Sequence, residues 1–251
     1  MARKKVLIGN WKMNNTLAQT EEFVKASDEL VSLANKKGVV IGVAPTYLSL
    51  AYVASNTKGL KVFAQEVHYK QKGAYTGNVS VEMVKEVGAI GSLVGHSERR
   101  TYEKETDLDC NLRVKSLLSQ GQEALLCVGE TLKEYEEGLA YTVISSQIYA
   151  GLNGVKKEDM SKVTIAYEPV WSIGTGKNAS EEIAQDICKF IRGLVEKLYS
   201  KEVADNITIL YGGSVKPNNI HGYLTQEDVD GALVGGASLT GESFKALIEN
   251  I

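Results

Sequence analysis

The chain has 251 residues and a formal net charge of −3, with 43% apolar and 24% charged residues. That balance is ordinary for a globular protein, no basic run supports nucleic-acid or anionic-membrane binding, and no apolar stretch approaches the roughly 18 residues of a membrane span. Cys110, Cys127 and Cys188 form an odd set without a CxxC pair, which disfavours a disulfide framework and a structural zinc site and points to a reducing, cytoplasmic compartment.

Short apolar runs recur along the chain at 6–10, 39–44, 61–65, 90–95, 124–128, 163–167, 207–211 and 232–235. Helical patterns separate them, as expected for βαβ units on a parallel sheet. After the first run, an Asn14-Asn15-Thr16 turn opens a helix over 16–35, with Phe23, Val24, Leu30 and Val31 on its apolar side. Gly38 and Gly121 each stand between a helical run and a strand, as C-terminal stops should. Ser180, Glu181 and Glu182 supply a cap and an acidic first turn to a helix reaching Leu198. Three prolines and no composition shift leave nothing to split the chain. Eight units of about 31 residues fit one (β/α)8 TIM barrel, a single α/β domain over 1–251, with an open doubly wound sheet as the alternative.

In a barrel, function gathers just past the C-terminal ends of the strands. There the first run ends in Asn10-Trp11-Lys12, the fourth in His96-Ser97-Glu98 and the sixth in Glu168-Pro169. A carboxylate at the end of an apolar strand suits a general base, imidazole handles protons near neutrality, and a lysine there offers fixed positive charge. Each also has an ordinary reading, as a rim ion pair, a structural histidine or a solvated lysine. Glycine-rich turns follow the seventh and eighth strands, Gly212-Gly213-Ser214 and Gly235-Gly236. They let backbone N–H groups approach an anion and point to phosphate binding. The segment 169–177, PVWSIGTGK, has the composition of a closing loop. His68 and His221 have no partner suggested by spacing, Cys127 reads as a packed core thiol, and no metal cluster or dinucleotide fingerprint gives a cofactor.

Seven segments, GNWKMN, GAYTG, GHSERR, CVGET, AYEPVWSIGTGK, YGGSV and VGGASL, stand in the order of the triosephosphate isomerase signatures, which the chain resembles over essentially its whole length. The resemblance implies a cofactor-free enzyme that moves a proton between adjacent carbons of a triose phosphate, itself a standard worked case of tuned acid–base chemistry. It assigns Glu168 as base, neutral His96 as electrophile and proton carrier, and Lys12 as the fixed cation. Asn10 orients the substrate, and Glu98 positions Lys12. Gly174, Ser214, Gly235 and Gly236 hold the phosphate under the 169–177 loop. It further implies a homodimer through the loop from Gln71 to Ser80, with Thr76 near the partner's site. Three residues depart from the family pattern: Ser172 for alanine, Asn15 for glycine and Asn78 for glutamate. Asparagine tolerates left-handed turn geometry, whereas Asn78 removes a charge expected to meet Arg99 across the dimer. Other phosphate-binding barrels, and an inactive barrel kept for interaction, are the competing readings.

Overall fold

A computed structural model describes residues 3–173 and 178–251. Its strands are β1 (Lys5–Asn10), β2 (Val39–Ala44), β3 (Lys61–Ala64), β4 (Gly91–Val94), β5 (Glu123–Val128), β6 (Val163–Tyr167), β7 (Thr208–Tyr211) and β8 (Gly231–Val234). They pair in sequence order, all parallel, and β8 closes onto β1 with Val6 opposite Gly231 and Gly9 opposite Val234. Closure rules out the open sheet. The crossovers carry α1 (Leu17–Lys37), α2 (Tyr47–Asn56), α3 (Val81–Glu86), α4 (Ser97–Tyr102), α5 (Asp107–Ser119), α6 (Leu132–Glu136), α7 (Ala140–Gly151), α8 (Glu181–Leu198), α9 (Lys201–Asn206), α10 (Ile220–Leu224) and α11 (Gly241–Glu249).

Local signals account for the helix ends. Thr16 and Gln19 form a reciprocal capping box on α1, and Gly38 stops that helix at φ +70° with its N–H bonded to the Ala34 and Asn35 carbonyls. Ser180 caps α8 by accepting from the Ile183 N–H. The apolar stripe of α1 is less regular than its sequence suggests: Leu17 is exposed, while Thr20 and Ser27 lie on the buried face. Thr20 tolerates burial because its hydroxyl bonds the Thr16 carbonyl and the Ser49 hydroxyl, each at 2.9 Å.

Strand periodicity divides the core in two. Alternate strand residues face the helices, and the others fill the barrel: Ile8, Ala44, Phe63, Leu93, Leu125, Cys127, Ala166, Leu210 and Leu233. Cys127 is therefore core, and burial pushes its thiol well above the ordinary range. Arg192 of α8 ties the helical layer to the strand region. It pairs with Asp228 and Asp230 at 2.7 Å each and donates to the Ala204 and Ile207 carbonyls.

Candidate active site

The register that fills the barrel also builds its mouth. Two residues beyond Phe63, Ala166, Leu210 and Leu233, and two beyond Ile8, the next positions in the same phase are Gln65, Glu168, Gly212, Gly235 and Asn10. Asn10, Glu168, Gly212 and Gly235 line a cleft of about 890 Å3 together with Lys12, His96, Glu98, Gly213, Ser214 and Gly236. The proposed residues of the first, fourth, sixth, seventh and eighth strand ends thus share one space.

Lys12 adopts a left-handed backbone conformation, φ +52°, which disfavours a residue bearing a Cβ by about 1 kcal/mol or more. Three contacts hold it there. Its N–H donates to Asn10 Oδ1 at 3.0 Å, its carbonyl accepts from Gln65 Nε2 at 2.9 Å, and its Nζ donates to Glu98 Oε1 at 2.7 Å. Gln65 also bonds the Ala44 carbonyl at 2.9 Å, so it braces the lysine turn against β2. Sequence reasoning left Gln65 out of the site, although its place at the end of the third apolar run was the available signal. A strained backbone fixed by several contacts around a cation is characteristic of functional sites. Asn15 likewise takes φ +67°, the turn geometry expected of it.

Glu168 and His96 form a buried pair, 2% and 5% exposed. His96 Nε2 lies 2.8 Å from Glu168 Oε1, and the Ser97 N–H donates to Glu168 Oε2 at 2.9 Å. Burial alone would raise the carboxyl pKa, but His96, the Ser97 amide and Lys12 outweigh it and hold Glu168 below the ordinary range. For His96, burial opposes protonation and the facing carboxylate favours it, with a net upward direction. The histidine also caps α4, where the Glu98 N–H donates to Nδ1 at 3.2 Å. Only an unprotonated Nδ1 accepts that bond, so the amide opposes the protonation that the carboxylate favours and, in the neutral imidazole, selects the tautomer carrying its proton on Nε2.

The backbone of β5 and of the residues just after it holds the Glu168 segment. The Glu168 N–H bonds the Val128 carbonyl at 2.7 Å and the Val170 N–H bonds the Glu130 carbonyl at 3.1 Å. The Glu130 side chain accepts from Trp171 Nε1 at 2.7 Å and from the Tyr167 hydroxyl at 3.1 Å. Glycine at 212 is forced by this arrangement, since a Cβ there would lie 2.9 Å from Glu168 Cγ. At Gly236, by contrast, a Cβ would meet no atom of the described residues within 4 Å, and Gly236 itself lines the cleft. Gly174 and the rest of 174–177 lie outside the described residues. Ser172, the departure ahead of them, is buried and ends a short 3-10 turn over Val170–Ser172.

The model of one protein family, described as triosephosphate isomerase, matches residues 5–251. The chain belongs to the triosephosphate isomerase family. Among its relatives, the triosephosphate isomerase of Caldanaerobacter subterraneus subsp. tengcongensis is 46% identical over 248 residues, covering 98% of this chain and 99% of the relative. That of Lactococcus lactis subsp. lactis is 44% identical over 250 residues, with 99% of each chain covered. That of Geotalea uraniireducens is 47% identical over 249 residues, with 98% of each covered. Full-length membership at this identity makes the chain an isomerase of the glycolytic and gluconeogenic triose-phosphate step. No helix among the described residues is long and apolar enough to cross a membrane.

Proposed function

We propose that the chain interconverts dihydroxyacetone phosphate and D-glyceraldehyde 3-phosphate through an enediolate, with Glu168 as the base. The observation that carries this reading is the convergence, in one cleft, of a buried carboxylate from the end of β6, an imidazole after β4 and a lysine after β1, with the glycine turns of β7 and β8 also lining it. The substrate carbonyl oxygen takes the place of Glu168 Oε1 at the His96 Nε2–H. The released carboxylate removes a proton from the carbon next to that carbonyl. The electron pair moves to the carbonyl oxygen, where Lys12 and His96 stabilise the developing charge. His96 passes a proton between the two oxygens, and Glu168 returns its proton to the neighbouring carbon. Asn10 and Glu98 orient Lys12. Backbone N–H groups around Ser214, Gly235 and Gly236, and Gly174 of the 169–177 loop, hold the phosphate and exclude water.

The functional unit is a homodimer, and a cytoplasmic setting agrees with three buried free cysteines. Support for the dimer comes from a second cavity of about 640 Å3 that shares Asn10, Lys12, His96 and Glu98 with the cleft and is lined by Met13, Tyr47 and Tyr102. Met13 is 94% exposed and Tyr102 75%, an apolar rim suited to receive the partner's loop from Gln71 to Ser80.

An isomerase assay on both triose phosphates tests the reaction, and Glu168→Gln tests the base. The variant keeps the shape of the side chain while losing its basicity, so turnover falls by about 10²–10⁴-fold with phosphate-ligand binding retained. Near-normal turnover in Glu168→Gln rejects the assignment.

A further inference from the structure

We propose that Tyr135 is a positioning residue for the general base, acting through Trp171. This rests on the assignment of Glu168 as that base. The Tyr135 ring stacks on the Trp171 indole with centroids 4.4 Å apart and planes 29° from parallel. Its backbone is fixed independently of the site. Thr131 and Glu134 form a capping box at the start of α6, and the Tyr135 N–H bonds the Thr131 carbonyl at 2.9 Å. From that anchored helix the ring covers one face of an indole whose N–H is tied to Glu130 at 2.7 Å. Trp171 lies three residues after Glu168, and between them Val170 is bonded to the Glu130 backbone at 3.1 Å.

The segment leaving β6 is thus gripped on both sides of its short turn. Glu130 holds the indole by its edge, and Tyr135 holds it by its face. A hydrogen bond at the edge fixes the position of the nitrogen but leaves the ring plane free to tilt about it; stacking removes that freedom. In each turnover Glu168 exchanges its contacts with His96 Nε2 and the Ser97 amide for the substrate carbon, so the direction of the segment behind it sets how often the carboxylate arrives aligned. The stack needs an aromatic face and no hydroxyl. Tyr135 is 38% exposed, so its replacement removes little of the core.

The test compares Tyr135→Ala and Tyr135→Phe with the wild-type chain. Tyr135→Ala is expected to lower kcat about two- to tenfold, the range to which loss of one aromatic pair converts, with KM changed less than about twofold and the thermal midpoint lowered by only a few degrees, about 1–6 °C. Tyr135→Phe is expected to restore kcat. Trp11 and Trp171 are the two tryptophans; Trp11 is fully buried and packs on Phe23, whereas Trp171 carries the Tyr135 ring, so the difference fluorescence between Tyr135→Ala and wild type reports on Trp171 and should show altered emission. An unchanged kcat in Tyr135→Ala overturns the proposal even where the emission changes, and so does a Tyr135→Phe variant as impaired as Tyr135→Ala. A wild-type chain without isomerase activity would overturn the assigned function itself, an outcome distinct from a fully active Tyr135→Ala.

Discussion

At the residue scale, the Glu168 carboxylate ties acid–base chemistry to stability. Its folded-state pKa is depressed below the ordinary value of 4.5, so its contacts stabilise the fold above that pH, and the stabilisation is lost as pH falls through the folded pKa. The difference in thermal midpoint between wild type and Glu168→Gln should therefore shrink below about pH 4.5, in the unliganded protein. A difference that stays constant down to pH 3 would contradict the depressed pKa. The glycines of the cleft separate two kinds of damage. Gly212→Ala presses a methyl against Glu168 Cγ at 2.9 Å, so kcat should drop by about tenfold or more as the base is misplaced. Gly236→Ala meets no atom of the described residues within 4 Å and should raise KM through lost phosphate space with kcat less affected. Steady-state kinetics on the pair would refute the assignment if both changed KM alone.

At the element scale, α8 contains a position where function and packing make no demand. A Cβ at Gly193 would meet no described residue outside its own helix turn within 4 Å, and the helix continues on both sides. Gly193→Ala should add about 0.5–1 kcal/mol of stability by reducing the freedom of the unfolded chain. Denaturant titration would show it as a higher midpoint at unchanged slope; a lower midpoint would mean that the open space is needed. The 71–80 loop is organised by His68, for which spacing along the chain suggests no partner. His68 stacks between Tyr69 at 4.6 Å and Tyr75 at 4.2 Å, and its N–H bonds the Val79 carbonyl at 2.8 Å. Those partners lie within the same loop region, yet ring stacking across a turn has no periodic signature to reveal it.

At the scale of the whole molecule, the missing glutamate at position 78 matters less than its charge suggests. Asn78 bonds the Tyr75 carbonyl within its own loop, by its backbone N–H at 3.0 Å. Arg99, the cation it would have met, already pairs with Glu105 of its own chain, and Glu105 in turn lies 3.4 Å from Arg113. A new carboxylate would compete for an arginine that has a partner, where a partly exposed pair is worth only about 0–1 kcal/mol. Asn78→Glu should leave a dimer only slightly tighter, as read by sedimentation over a dilution series. A large gain would show that Arg99 is available to the partner. A wild-type monomer at micromolar concentration with full activity would remove the dimer from the mechanism.

The alternation of apolar runs and helices, and the phase within each run, were properties of the chain alone. They placed Asn10, Glu168, Gly212 and Gly235 at the barrel mouth because a residue two beyond a core position returns to the same face. Capping signals such as Thr16 and Ser180 acted locally, within one turn, and could be read for the same reason. Closure of β8 onto β1 was decided only in three dimensions, since an open sheet has the same alternation. So were the bracing of Lys12 by Gln65, 53 residues away, the approach of Glu168 to His96, and the stack of Tyr135 on Trp171. These depend on distances between elements remote in sequence, which no local pattern encodes, and it is they that bring a carboxylate, an imidazole and a lysine to face one space.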